Sequence, residues 1–199
     1  NAMEGRRVAY FALEAEPREL ERRTKYRLLN ALLYAEKSDR AGDFNYADWI
    51  RGECESFCGH LNEEVDNKIM DQLATLHTYY RGEKFDQDTL RTEVSKASVW
   101  ADLIVVDHLH YIDTDAEESE TRGLAEIVKT VRDLSLRVGR PILLVAHLRK
   151  RDQREKRVIA TIDDFHGSSN ITKICTQAIT IERAHCVQPS KWWMSPTFM

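Results

Sequence analysis

Leu103-Ile104-Val105-Val106-Asp107 is the stretch on which the fold turns. Four apolar residues, most of them β-branched, run without alternation into a carboxylate. A short run of this kind reads as a strand buried on both faces, as strands of parallel sheets are. Working outward, two further runs have the same form. Arg7-Val8-Ala9-Tyr10-Phe11-Ala12-Leu13 precedes Glu14, and Pro141-Ile142-Leu143-Leu144-Val145-Ala146 precedes His147. A last strand is expected at Ala178-Ile179-Thr180-Ile181, and residues 77–81 form a further short candidate.

Between these runs the apolar period is helical. Leu20, Thr24, Leu28, Ala31, Leu32 and Ala35 predict a long amphipathic helix over 17–37, with Pro17 in its first turn. Asn45 is placed to cap a helix carrying Trp49, Ile50 and Phe57. Val65, Ile69, Leu73 and Leu76 mark another over 62–76, and Asp86 or Gln87 opens one that reaches about Ser98. An acidic loop from Asp113 to Glu120 leads into a helix carrying Leu124, Ile127, Val128, Val131, Leu134 and Val138, which Gly139 and Pro141 stop. Strands alternating with amphipathic helices predict an α/β domain: a mostly parallel sheet covered by helices on both faces. Ligands of such sheets bind beyond the carboxyl ends of the strands. Glu14, Asp107 and His147 all fall there.

Composition agrees and sets bounds. The 199 residues are 42% apolar and 31% charged, enough for one sizeable core in a water-facing domain. No apolar run approaches the roughly 20 residues of a membrane helix, and no apolar signal segment opens the chain. Four cysteines, Cys54, Cys58, Cys175 and Cys186, make no disulfide framework at this length, so a reducing cytoplasm is expected. Asn1-Ala2, before Met3, reads as a tag scar and is set aside. The net charge of −4 argues against a globally basic nucleic-acid coat but not against a local patch.

An apolar strand closed by aspartate is the general form of the acid that holds Mg²⁺ beside nucleotide phosphates; equally, it is the form of an acid capping the next turn. A glutamate at a neighbouring strand end can polarise an attacking water, and a histidine can donate a hydrogen bond to a terminal phosphate. Taken singly, Glu14 opens a loop and His147 is a structural histidine. Their order is more informative. Phe11-Ala12-Leu13-Glu14, Leu103-Ile104-Val105-Val106-Asp107-His108-Leu109, Leu143-Leu144-Val145-Ala146-His147-Leu148 and Asp163-Asp164-Phe165-His166-Gly167-Ser168-Ser169-Asn170-Ile171 together resemble the RecA-like ATPase core of DnaB-type replicative helicases and related plasmid replication ATPases.

The resemblance covers about residues 6–183 and implies a core over 3–185, a helical insertion at about 38–100 and a tail at 186–199. It implies that Glu14 is the catalytic glutamate, that Asp107 is the Walker B aspartate holding Mg²⁺, and that His147 links the γ-phosphate to the nucleic-acid loops. Gly167, Ser168 and Ser169 resemble the family's final motif, which faces the DNA channel. Mg-ATP, single-stranded DNA and a ring of like subunits are the implied cofactor and partners, with replication or recombination of DNA the implied setting.

One part is missing. GxxxxGK[ST] occurs nowhere in the 199 residues, so the backbone cradle and the lysine for the phosphates are absent. In the family the strand feeding that loop lies between the strands expected here at 141–146 and 178–181, and its loss is expected to expose apolar strand edges. Truncation or a split gene is the favoured account; a degenerate core serving as a DNA-binding or assembly module is the alternative. Without the loop, no independent ATP turnover is expected.

The segment from His147 to Arg157 holds Arg149, Lys150, Arg151, Arg154, Lys156 and Arg157 against two acids, +4 where the rest of the chain is −8. It is a candidate phosphate-contacting loop, or simply a solvated one, and it offers no aromatic for base stacking. Cys54, Cys58 and His60 make too few ligands for zinc. His108 and His110 could join Asp107 around a metal, but a loop after the strand is the simpler reading.

Overall fold

The computed structural model describes residues 5–114, 119–148, 164–165, 173–182 and 193–197. Its elements in order are β1 (Val8–Ala12), α1 (Pro17–Ala35), α2 (Tyr46–Ile50), α3 (Glu55–Cys58), α4 (Asn62–Leu73), β2 (Leu76–Tyr80), α5 (Gln87–Ser98), β3 (Leu103–Asp107), α6 (Glu120–Val138), β4 (Ile142–Leu144), β5 (Ala178–Glu182) and β6 (Trp193–Thr197).

β1 to β4 form one sheet in the order β2-β1-β3-β4, every pair parallel. The expected strand at 77–81 is realised one residue earlier and forms an edge. Thus the stretch 38–100 supplies a sheet strand and the sheet-packing helix α5 as well as helices. The register sets Ala12 opposite Asp107 and Phe11 opposite Val106, so β1 and β3 end level.

Period two then divides the strands between two faces. Ala9 and Phe11 of β1 and Ile104 and Val106 of β3 are fully buried against Leu90, Val94 and Ala97 of α5 and Leu124, Ile127 and Leu134 of α6. On the opposite face Val8 and Ala12 are buried, Tyr10 and Val105 are half-buried, and Leu143 is 49% exposed. That face is therefore less covered toward β4 than a two-sided sheet would be. A second core joins Leu28, Leu29 and Leu33 of α1 to Phe44, Cys54, Cys58, Leu61 and Val65.

Local chemistry explains the element ends. Pro17 stands in the first turn of α1. The Asn45 side chain accepts from the Asp48 amide at 3.0 Å to cap α2, and Asp86 accepts from the Thr89 amide at 2.9 Å to cap α5. Gly139 closes α6 at φ 64°, ψ 28°, left-handed geometry that glycine adopts without a Cβ penalty, and its amide bonds Ser135 O at 3.0 Å.

Two features depart from a continuous five-strand sheet. The run 141–146 is in strand pairing only at Ile142–Leu144. β5 pairs antiparallel with β6 in a separate two-stranded sheet, so the last expected strand forms but does not join the main sheet. Among the described residues β4 is an edge, with Leu143 and Val145 partly exposed. No helix among the described residues is long and apolar enough to cross a membrane.

Candidate functional site

Parallel pairing brings the carboxyl ends of β1, β3 and β4 together. Backbone hydrogen bonds continue past the strands: Leu13 N to Asp107 O at 2.6 Å, Val145 N to Val106 O at 2.9 Å and Leu109 N to Val145 O at 2.9 Å. The segments carrying Glu14, Asp107 and His147 are thereby tied into one frame.

The centre of that frame is His108, a residue the sequence reading left as loop. It is 1% exposed. Its Nε2 lies 3.1 Å from Glu14 Oε2, although the approach is too far off line for a well-formed hydrogen bond. Its Nδ1 accepts from the His110 amide at 3.2 Å. Its ring centroid lies 4.0 Å from that of His147 and 5.4 Å from that of His110, and Tyr111 packs edge-on at 4.9 Å. The His108 pKa is lowered, first by burial and then by His147, while Glu14 and Asp107 oppose the shift. The ring is consequently biased toward its neutral form.

Asp107 is held from the other side. The Tyr10 hydroxyl donates to Asp107 Oδ2 at 2.5 Å. Burial, followed by the hydrogen bond and charge of Asp107, pushes the Tyr10 hydroxyl well above its ordinary range, with Arg23 opposing. One carboxylate oxygen is thus engaged by the protein itself. Farther out, Arg81 pairs with Asp113 at 2.6 Å, and Asp113 Oδ2 accepts from the Phe85 amide at 2.7 Å, which fixes the loop after β3 to the loop before α5.

Of the residues singled out from sequence, Glu14, Asp107 and His147 meet around His108. Arg149, Lys150, Arg151, Arg154, Lys156, Arg157, Gly167, Ser168 and Ser169 lie outside the described residues. Cys54 and Cys58 are buried in the α1–α4 core, and His60 instead faces Glu36 at 3.1 Å. The sequence weighed His108 and His110 as metal ligands beside Asp107 but favoured a plain loop, and it did not join His147 to them. The available signal was His-x-His directly after a strand-ending aspartate, with a third histidine ending another strand.

Solved structures share this architecture. One described as a DnaB-like replicative helicase and its interactions with primase matches 92% of this chain at a TM-score of 0.67 and 11% identity. A second, described as an ATPase domain, matches 92% at a TM-score of 0.67 and 12% identity. The fold is that of a RecA-like ATPase core. At these identities the likeness is one of fold. The chain spans 41% of the first matched chain and 61% of the second. No protein-family model and no curated protein matches the sequence. Within the RecA-like frame, the all-parallel order and the strand-end residues sit where ligands of open α/β sheets bind.

Proposed function

We propose that the chain, with a core over 3–185, is part of a DnaB-type helicase ATPase domain working in DNA replication or recombination in the cytoplasm. A complete form would couple Mg-ATP hydrolysis to movement on DNA. The observation that carries this reading is the meeting of Glu14 and His147 at His108, directly after Asp107, on neighbouring parallel strands of a RecA-like sheet.

The residues present fit the nucleotide only in part. Asp107 has one carboxylate oxygen free of the Tyr10 bond and suits a hard, water-rich Mg²⁺. Glu14, about half exposed, is placed to take a proton from water. His147, exposed beside His108, is placed to donate to an anion. The phosphates have no cradle: the sequence holds no P-loop, and no residue of the strand-end cluster replaces its run of amides and lysine. The chain by itself is therefore expected not to turn over ATP.

The basic segment 149–157 and the Gly167-Ser168-Ser169 turn are proposed to face single-stranded DNA, with self-association into a ring in the complete form. Fluorescence anisotropy with labelled single-stranded DNA at several salt concentrations tests the first part. Affinity should fall steeply with salt, and neutralising Arg149, Lys150 and Arg151 should abolish it. No binding at low salt rejects the DNA role. For the enzyme reading, ATP turnover at ordinary helicase rates by this chain, lost in Glu14→Gln, would overturn the expected inactivity.

A second reading has its own support. Among the described residues β4 is an edge, and β5 pairs with β6 rather than with the main sheet. That arrangement suits a non-hydrolysing module that scaffolds DNA or a helicase partner. The coding sequence upstream of Met3 separates the two: an in-frame P-loop supports the ATPase, an in-frame stop the module.

A further inference from the structure

We infer that His108, His110 and His147 form a transition-metal site that takes Zn²⁺, with Glu14 supporting it. One ring nitrogen from each histidine lies within 4.8 Å of the others. Nitrogens on a tetrahedral zinc stand about 3.3 Å apart, given Zn–N bonds of about 2.0–2.1 Å. Shifts of about 1 Å per ring close the set, within what small side-chain rotations supply.

Three observations favour a ligand over simple packing. First, His108 is 1% exposed, and its Nε2 meets the Glu14 carboxylate at 3.1 Å but off the line of a good hydrogen bond. A buried polar atom left in this state is costly unless something else engages it. Second, the backbone presenting the rings is fixed. Leu109 N bonds Val145 O at 2.9 Å, joining the His108–His110 turn to the β4 segment that carries His147. Third, a carboxylate stands at the right place. Metal-bound histidines commonly hold a carboxylate with the other ring nitrogen, and Glu14 Oε2 is 3.1 Å from His108 Nε2. Metal on His108 Nδ1 would displace the His110 amide bond there and leave Glu14 as that outer partner; metal on Nε2 keeps the amide bond and makes Glu14 the fourth ligand.

The donor set selects the metal. Imidazoles suit zinc and its neighbours, whereas Mg²⁺ demands oxygen. The site is thus chemically separate from the Asp107 oxygen, although the residues adjoin. With Glu14 as the outer partner, the three imidazoles leave one coordination position open on the solvent side, where His147 is exposed. The assignment rests on the histidine cluster and stands whether or not the chain is an ATPase. Zinc held there would, however, engage His147 and Glu14 and keep them from acting on a nucleotide.

The test uses the untagged full chain, stripped with chelator and reloaded with ZnCl₂ or CoCl₂. Elemental analysis after desalting should find one zinc per chain, and cobalt should show visible d–d bands of a four- or five-coordinate nitrogen site. His147→Gln, an exposed position whose substitution spares the core, should weaken binding by more than about 100-fold, because an outer-shell loss alone costs about 10–100-fold. Glu14→Gln should weaken binding by about 10–100-fold where Glu14 is the outer partner and by more where it is the fourth ligand; unchanged affinity would remove Glu14 from the site. His60→Ala and His77→Ala should bind as the unsubstituted chain does. A folded His147→Gln protein, checked by circular dichroism, that keeps full zinc affinity overturns the site. So does a failure of the unsubstituted chain to retain zinc, or an equal loss in the His60 and His77 controls, which would mark adventitious surface binding.

Discussion

The hydrogen bond between Tyr10 and Asp107 offers a sharp test of how the strand-end acid is held. Tyr10→Phe removes one oxygen and leaves the ring. The lost bond is 2.5 Å long, part-buried and directed at a carboxylate. Hydrogen bonds to charged groups contribute about 1.5–3 kcal/mol, and water reaches this half-buried pair, so the lower end applies: about 1.5 kcal/mol. With a urea dependence of about 2 kcal/mol per molar, the unfolding midpoint should drop by about 0.75 M. Asp107→Asn and the double variant complete a cycle whose coupling should be about 1 kcal/mol. The pH course adds a sign. Burial and Asp107 raise the Tyr10 hydroxyl above its usual range, Tyr80 adds to this and Arg23 opposes it. The folded state therefore holds the phenol proton more tightly than the unfolded one. Its stabilisation is complete below pH of about 10 and is lost as pH rises through the folded value. The stability gap between the native chain and Tyr10→Phe should accordingly be flat to about pH 10 and shrink beyond it. A coupling under about 0.3 kcal/mol, or a gap that widens in alkali, would refute the assigned bond.

Three further substitutions probe the frame around the site, each read by urea unfolding followed by circular dichroism. Asp86→Ala removes the α5 cap, whose carboxylate also pairs with Lys84 at 2.7 Å, and should lower the urea midpoint; an unchanged midpoint would show the cap to be idle. That difference should also fade in acid, because Lys84 and the Thr89 amide hold the Asp86 carboxyl below its ordinary range: its stabilisation is full above the unfolded pKa of about 3.9 and is lost progressively as pH falls through the lower folded value. Gly139→Ala should cost about 1–2 kcal/mol from left-handed backbone strain alone, since nothing lies within 4 Å of an added Cβ; an unchanged midpoint would contradict the φ of 64°. Leu134→Ala, at a fully buried position between α6 and the sheet, should cost about 2–5 kcal/mol, and a cost under about 1 kcal/mol would mean that α6 does not cover that face.

How far the fold could be read beforehand follows from where its information lies. Leu103 to Asp107 carries its own signal, because a non-alternating apolar run is driven into a two-sided sheet by burial alone. The ends of α6 are equally local: Gly139 and Pro141 stop it wherever the rest of the chain goes. β2 was harder, since Leu76-His77-Thr78-Tyr79-Tyr80 neither alternates cleanly nor buries fully, as befits an edge among the described strands. The partner of β5 was out of reach. Ala178 to Ile181 reads as a strand, but choosing between the main sheet and Trp193–Thr197 is a contest of distant pairings that no local pattern records.

The candidate site divides along the same line. Glu14, Asp107 and His147 were visible because strand ends are visible and parallel sheets collect ligands at one end. His108 and His110 could be read as a metal pair beside Asp107, but their grouping with His147 arises only when β3 and β4 pair and bring Val145 to Leu109. Before that pairing His108 is one histidine after a strand; after it, three imidazoles lie together with Glu14 beside them. Asp107 and His108 are consecutive, yet Tyr10 holds the first while Glu14 and His147 crowd the second. One strand end thus presents a hard oxygen and a borderline nitrogen cluster side by side, and these select different cations. If both are filled in the working protein, the second constrains the first, because the glutamate and histidine that a nucleotide would require are the same groups that the imidazole cluster needs.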